Sequence, residues 1–308
     1  MTAIKQSVAL AALLAGLAGG ASAQVTYSGS ATLGYAMGEG SGELSSAPDM
    51  DALTADLAAS LSFGNGFGLD LGIGLGNLDI DGSSEDLDVS YVSAAPKFDF
   101  GNGFTAGAYI EQGKVEMYGD DIKMLSYGLT GDYAIAGAVV SAYYGKSETD
   151  PDLTSDYDIY DYGLGATYMV NPDFKVAGGW SRSRISAFGT DIDLDVWKIG
   201  AAYSVTDAFT VFGGGLFGSV EDADIRVYGI GVSYDLSTVA PLPLIASIEY
   251  STDELELSGD TGGYDVWRFG VTIPFGDKTG PVVPLNSVTG AVFDPKANVI
   301  TDGILAAF

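Results

Sequence analysis

Cysteine and histidine are absent from this chain of 308 residues, basic residues are scarce at 13 against 41 acidic ones, and past the N-terminal stretch no long apolar run occurs. Each absence removes a class of function. Without histidine, hydrolases built on a histidine base, triad lipases and proteases among them, have no base here. Without cysteine there is no disulfide framework, although disulfides are optional in an oxidising space and the compartment stays open on that count. A formal net charge of -28 argues against nucleic acid as a partner. Mean hydropathy is nevertheless positive, +0.22. The apolar residues are therefore spread in alternation over many short strands rather than gathered into helices.

The N-terminus addresses the compartment. Lys5 precedes an apolar run from Val8 to Ala18, and Ala21-Ser22-Ala23 places small residues before Gln24, the layout of a secretory signal peptide over residues 1–23. The run falls short of the ~20 residues that a spanning helix needs.

The rest of the chain is organised around a stretch near its end, Tyr264 to Phe275. Trp267, Phe269, Val271, Ile273 and Phe275 alternate with Arg268, Gly270, Thr272 and Pro274, a strand with one apolar face and one polar or small face. The same period recurs upstream. Gly64-Asn65-Gly66 and Gly101-Asn102-Gly103 mark tight turns, while acidic connections at 81–86, 147–156, 221–224 and 251–260 read as longer loops. Fourteen strands are expected, starting near residues 25, 50, 67, 87, 104, 122, 138, 158, 174, 194, 209, 225, 242 and 264. A glycine-led repeat, at Gly128, Gly165, Gly200, Gly231 and Gly270, recurs once per hairpin. The pattern predicts an all-β fold, a transmembrane antiparallel up-and-down β-barrel of about 14 strands, with 16 as the alternative, over residues 24–275. Residues 276–308 contain Pro281, Pro284 and Pro295 and no clean period. They are expected to form a poorly ordered or lumen-contacting tail; two further strands are the other arrangement.

With the signal segment, the Val25-Thr26-Tyr27-Ser28-Gly29-Ser30-Ala31 start, the Gly-Asn-Gly turns and the closing strand ending in Phe275, the chain resembles Gram-negative outer-membrane porins, particularly those of alphaproteobacteria. The resemblance covers residues 1–275. It implies an outer-membrane location, recognition of the closing strand by the outer-membrane assembly machinery, and possible homo-oligomers such as trimers. General porins have sixteen strands and a long third loop folded into the channel; neither is found here.

Strand parity assigns the faces. Asp56, Asp70, Asp88, Glu111, Asp161, Lys175, Lys198, Asp235, Glu249 and Arg268 fall on the inward set, and Asp56, Glu111, Asp161, Lys175, Lys198, Glu249 and Arg268 are the candidate pore-lining residues. Acidic Asp56 and Glu111 in the N-terminal half face basic Lys198 and Arg268 in the C-terminal half. One reading is a transverse field across a narrow channel; the other is local cross-strand pairing. Lys114, Lys123, Lys146, Arg182, Arg184 and Arg226 fall outward beside the longer loops. They suit either lipopolysaccharide phosphates or ordinary interfacial snorkelling. Trp267, Phe269, Val271, Ile273 and Phe275 are expected to close the barrel against the strand beginning near Val25. Outward aromatics near both strand ends, such as Tyr144, Trp180 and Trp197 at one and Phe67, Phe104 and Phe174 at the other, fit interfacial girdles.

Other chemistry finds little support. Asp79, Asp81, Glu85 and Asp86, and Asp150, Asp152, Asp156 and Asp158, supply oxygen ligands but not an EF-hand spacing, so a solvated acidic surface is the expectation and no metal or cofactor is assigned. Gly213, Gly215 and Gly218 match G-x-G-x-x-G inside a strand, not before a helix. The chain is expected not to be an enzyme. Passive diffusion of small hydrophilic solutes through an outer-membrane channel is the first reading. A non-conducting structural or surface-interaction barrel is the second, and an apolar-solute transporter, weakened by the lack of an N-terminal plug, is the third.

Overall fold

The computed structural model of the protein describes residues 25–83, 86–117, 119–151, 157–187, 190–221, 223–238, 242–257, 259–276 and 280–307. The expected signal peptide, residues 1–23, lies outside the described residues. Among the described residues fourteen strands are present: β1 (Thr26–Gly42), β2 (Met50–Ser62), β3 (Phe67–Ile80), β4 (Leu87–Asp99), β5 (Phe104–Met117), β6 (Asp120–Ile135), β7 (Ala138–Asp150), β8 (Tyr157–Asn171), β9 (Phe174–Ala187), β10 (Thr190–Ser204), β11 (Phe209–Val220), β12 (Ala223–Asp235), β13 (Ile245–Leu257) and β14 (Asp260–Gly276). Each pairs with its sequence neighbours, and β1 pairs antiparallel with β14 from Ser28↔Gly276 to Gly42↔Gly262, so the sheet closes into a barrel.

Closure leaves no sheet edge, the requirement for strands to cross lipid with every ladder group satisfied. Side-chain alternation supplies the rest. On β14, Trp267 is 47% exposed while its neighbour Arg268 is 2% exposed. Phe269, Val271 and Ile273 share the outer face with Trp267, and Thr272 lies buried inside. Trp267 and Phe269 stand opposite Met37 and Tyr35 of β1 across the closing seam. Rings cluster at both ends of the outer face: Phe67, Phe98, Phe100 and Phe104 in one chain of contacts, and Tyr144, Tyr160, Tyr162, Trp180 and Trp197 in another. Such belts suit the headgroup boundary.

The end carrying both barrel termini is called here the terminal end, and the opposite one the far end. At the terminal end, Gly66 and Gly103 take φ of +88° and +85°, the left-handed backbone that a tight hairpin requires. The far end differs from the loop expectation. The acidic stretches at 221–224 and 251–260 are mostly strand, because Arg226 on β12 pairs with Asp224 and with Glu256 of β13, carrying the ladder through what composition alone suggests is a solvated loop. Asp88 also departs from its expected inward place. It opposes Asn77 and accepts from its side-chain amide at 2.9 Å, on the opposite face from buried Val89 and Tyr91.

Among its described residues, the segment after β14 adds no strand. It forms two short helices, α1 (Val288–Phe293) and α2 (Val299–Ala307). Ser287 caps α1 by accepting from the Gly290 N–H at 2.8 Å. No helix among the described residues is long and apolar enough to cross a membrane.

Candidate functional site

The lumen is the site, and the C-terminal segment lies within it. Val288 and Val292 of α1 pack with Ala177 of β9, Leu216 of β11 and Val227 of β12 in one buried apolar cluster. Inward glycines make the space: a Cβ on Gly200 would stand 3.2 Å from Val292, and one on Gly34 would overlap the Asn286 side chain. Small lining residues therefore serve the fit of the tail as well as the width of the barrel.

Most of the candidate pore-lining charges meet this segment. Glu111 accepts from the backbone N–H groups of Asn298 (2.8 Å) and Ala297 (3.2 Å), and from the Tyr91 hydroxyl (3.1 Å). Asp161 accepts from Ser147, Ser183 and the Asn298 side-chain amide. Asn298 also donates to Ser147 at 3.1 Å and accepts from the Thr301 N–H at 3.0 Å, so this wholly buried amide is engaged at both ends. Lys198 is ion-paired with Asp302, whose other oxygen accepts from the Lys296 N–H at 2.7 Å. Glu249 accepts from the Val288 N–H at 3.1 Å and stands 3.8 Å from Arg268. Arg268 donates to Ser251 and reaches Asp253 at 3.4 Å. The Lys175 ammonium sits 4.1 Å from the centre of the Phe293 ring. Asp56 lines a small cavity of about 50 Å³ beside Asn286, Asp294 and Lys296. Barrel charges, serine hydroxyls and tail amides thus form a belt across the middle of the barrel.

The two ends of the lumen differ. Toward the terminal end, Lys97 binds Asp70 at 2.6 Å, and Ser60 donates to the same carboxylate. Ser204 and Thr210 form another polar contact at 3.2 Å. Toward the far end, the inward residues are Leu194, Val196, Leu216, Ile225, Val227 and Leu255, lining a cavity of about 470 Å³ with Ile300 and Ile304 of the tail. Sequence reasoning misses this apolar zone because the acidic composition puts Ile225 at the edge of one expected loop and Leu255 inside another. Parity carried on past the assumed strand end would have found them.

All six candidate rim cations sit on the outer face, and each has a carboxylate partner. Lys114 pairs with Glu116 and Asp121, Lys123 with Asp121 and Asp150, and Lys146 with Asp158. Arg182 bonds Asp193 and Asp195 at 2.6 Å each, Arg184 bonds Asp193 at 2.7 Å, and Arg226 bonds Glu256 at 2.8 Å. The carboxylates sit on adjacent strands or within the same one, so the rim is a band of paired charge. Of the acidic groups weighed as calcium ligands, Glu85, Asp152 and Asp156 lie outside the described residues.

A closed antiparallel barrel with an apolar belt, aromatic girdles and a polar middle is a transmembrane β-barrel. A model of the Gram-negative porin family matches residues 161–242, from within β8 to just beyond β12. Among solved structures, the anion-selective porin from Comamonas acidovorans is similar at 10% identity and a TM-score of 0.52, covering 82% of this chain and 100% of that one. A mutant of the TodX monoaromatic hydrocarbon channel is similar at 11% identity and a TM-score of 0.53, covering 82% and 91%. A FadL homologue of Pseudomonas aeruginosa is similar at 10% identity and a TM-score of 0.50, covering 80% and 90%. At such identities the shared property is the fold. No curated protein matches the chain in sequence. The protein is a porin-like β-barrel of the Gram-negative outer membrane, and the family match points to a channel.

Proposed function

We propose that the protein passes small hydrophilic solutes by passive diffusion, through the narrow space left between the C-terminal segment and the barrel wall. The observation that carries this reading is a cavity of about 150 Å³ beside the tail, lined by Ser141, Thr167, Ser181, Lys198 and Lys296 among others. The lining also includes Tyr143, Val292, Phe293 and Pro295, so the hydroxyl and ammonium groups are polar points on a largely apolar wall, and in the low-dielectric shell they are the groups that would hold hydrated solutes and ions. The tail makes the passage much narrower than fourteen strands alone would leave.

The remaining roles follow from position. The pore-lining set Asp56, Glu111, Asp161, Lys175, Lys198, Glu249 and Arg268 acts chiefly by seating the tail, with Arg268 doing so through Glu249. Lys114, Lys123, Lys146, Arg182, Arg184 and Arg226 meet lipopolysaccharide phosphates when these displace the carboxylate partners, Arg through its two-pronged donor set. The closing strand, with Trp267, Phe269, Val271, Ile273 and Phe275, is the part the assembly machinery receives. Homo-oligomers would form through the apolar outer face.

The second reading, a non-conducting structural barrel, is favoured by the tail's buried bonds across the lumen. Purified full-length protein in planar bilayers tests both. The channel reading expects discrete conductance steps, small for a barrel of this size. Silence after verified insertion would replace it with the structural one.

A further inference from the structure

The far-end cavity, about 470 Å³, falls within the size range of small-molecule sites. Its wall is a cross-strand row: Leu255 opposes Ile225, Ile225 opposes Gly218, and Gly218 opposes Val196. The row continues into buried Ser181, so all of it faces inward. Leu194 and Tyr264 extend the wall, and Ile300 and Ile304 close it on the side of the tail. In a water-filled barrel this face is polar. Here Leu255 is 45% exposed, apolar surface held against water at a cost proportional to its area. The described residues do not fill the space themselves; at the centre of the row stands Gly218.

Charge narrows the class of occupant. The carboxylates that face the cavity are engaged, Asp253 with Arg268 and Asp302 with Lys198, while Glu254 points outward to the Tyr228 hydroxyl. No lysine or arginine is among the described residues lining it. An anionic headgroup would therefore lose its hydration beside carboxylates and meet no cation in return. We infer that the far half of the lumen is a binding site for a small, uncharged apolar molecule, with α2 as part of its wall. This site stands independently of solute conductance.

The test uses full-length protein in lipid nanodiscs and two dyes with the same rings, neutral N-phenylnaphthylamine and its anionic counterpart anilinonaphthalene sulfonate. Saturable binding of the neutral dye is expected, with the sulfonate weaker by roughly tenfold or more. Gly218→Phe puts a ring into the cavity at a position where an added Cβ comes no closer than 3.4 Å to its neighbours. It and Leu255→Gln should each weaken the neutral dye by roughly tenfold, while Ile230→Thr on the lipid face should leave it unchanged. Equal affinity for both dyes, or lumen variants that insert normally and bind like the parent, would overturn the inference. Conductance of the same preparations reports separately on the channel reading.

Discussion

Followed from the terminal end toward the far end, the inner face of β10 to β13 changes character at the level of Lys198 and Glu249. On the terminal side it carries Ser204, Thr210, Ser233 and Ser247, with Phe212 and Ile245 buried; on the far side it carries Leu194, Val196, Leu216, Ile225, Val227 and Leu255. Parity is the same in both halves, so alternation decides which residues face the lumen but not what that lumen prefers to hold. The polar half offers hydroxyl groups that can hydrogen-bond water. The apolar half would give up water at a gain in free energy, and the charged belt between them is bonded to the tail.

Removing the tail erases the boundary, and this is the largest effect expected. A chain ending at Gly276 should conduct roughly threefold more than the parent or better, because a lumen of fourteen strands would be open throughout. It should also lose heat resistance as the cluster around Val288 and Val292 is lost. Single-channel steps and heat-modified gel migration read the two outcomes, and unchanged steps would mean that the tail does not obstruct the pore.

A smaller effect comes from cutting one bond of the belt. Lys198→Met leaves Asp302 buried without its cation, a loss of about 3–5 kcal/mol in tail docking. Limited proteolysis of the tail should quicken, and adding Asp302→Asn should restore most of the protection, since both charges are then gone and an acceptor for the Lys296 N–H is kept. A double variant as labile as the single one would show that the ion pair is not what seats α2. The smallest effect belongs to the polar half. Asp70→Asn breaks a partly exposed pair with Lys97 and should change stability by about 0–1 kcal/mol, measured by denaturant unfolding, with dye binding at the far end unaffected.

The fold was legible because period-two alternation is what a lipid-facing strand must show. The fourteen strand starts lie within a few residues of those expected, and the last strand meets the first. Loop lengths mislead where Asp224, Glu254 and Glu256 read as solvation signals, although they sit on the outer face and keep company with Arg226 and Tyr228. The helices of the tail hid for another reason. α1 is six residues long, too short for a helical period to register, and its partners lie on β9, β11 and β12, far away in sequence. Its Ser287 cap, three residues before Gly290, was the available signal. The charges on Glu111, Asp161 and Lys198 pointed to the right surface. What they bind was written 100 to 190 residues downstream, in Asn298 and Asp302.

One contact of the tail bears on how the barrel comes apart. The Leu285 N–H donates to Thr32 on β1 at 3.2 Å, and the Asn286 amide donates to the Phe269 carbonyl on β14 at 3.3 Å. Those two strands form the seam where the sheet closes on itself, and Thr32 lies opposite Thr272 there at 2.9 Å. The tail is thus a crossbar bolted over the joint from inside. Unzipping between the first strand and the last must begin by drawing that bolt, so the lifetime of the closed ring is tied to a segment that contributes no stave to it.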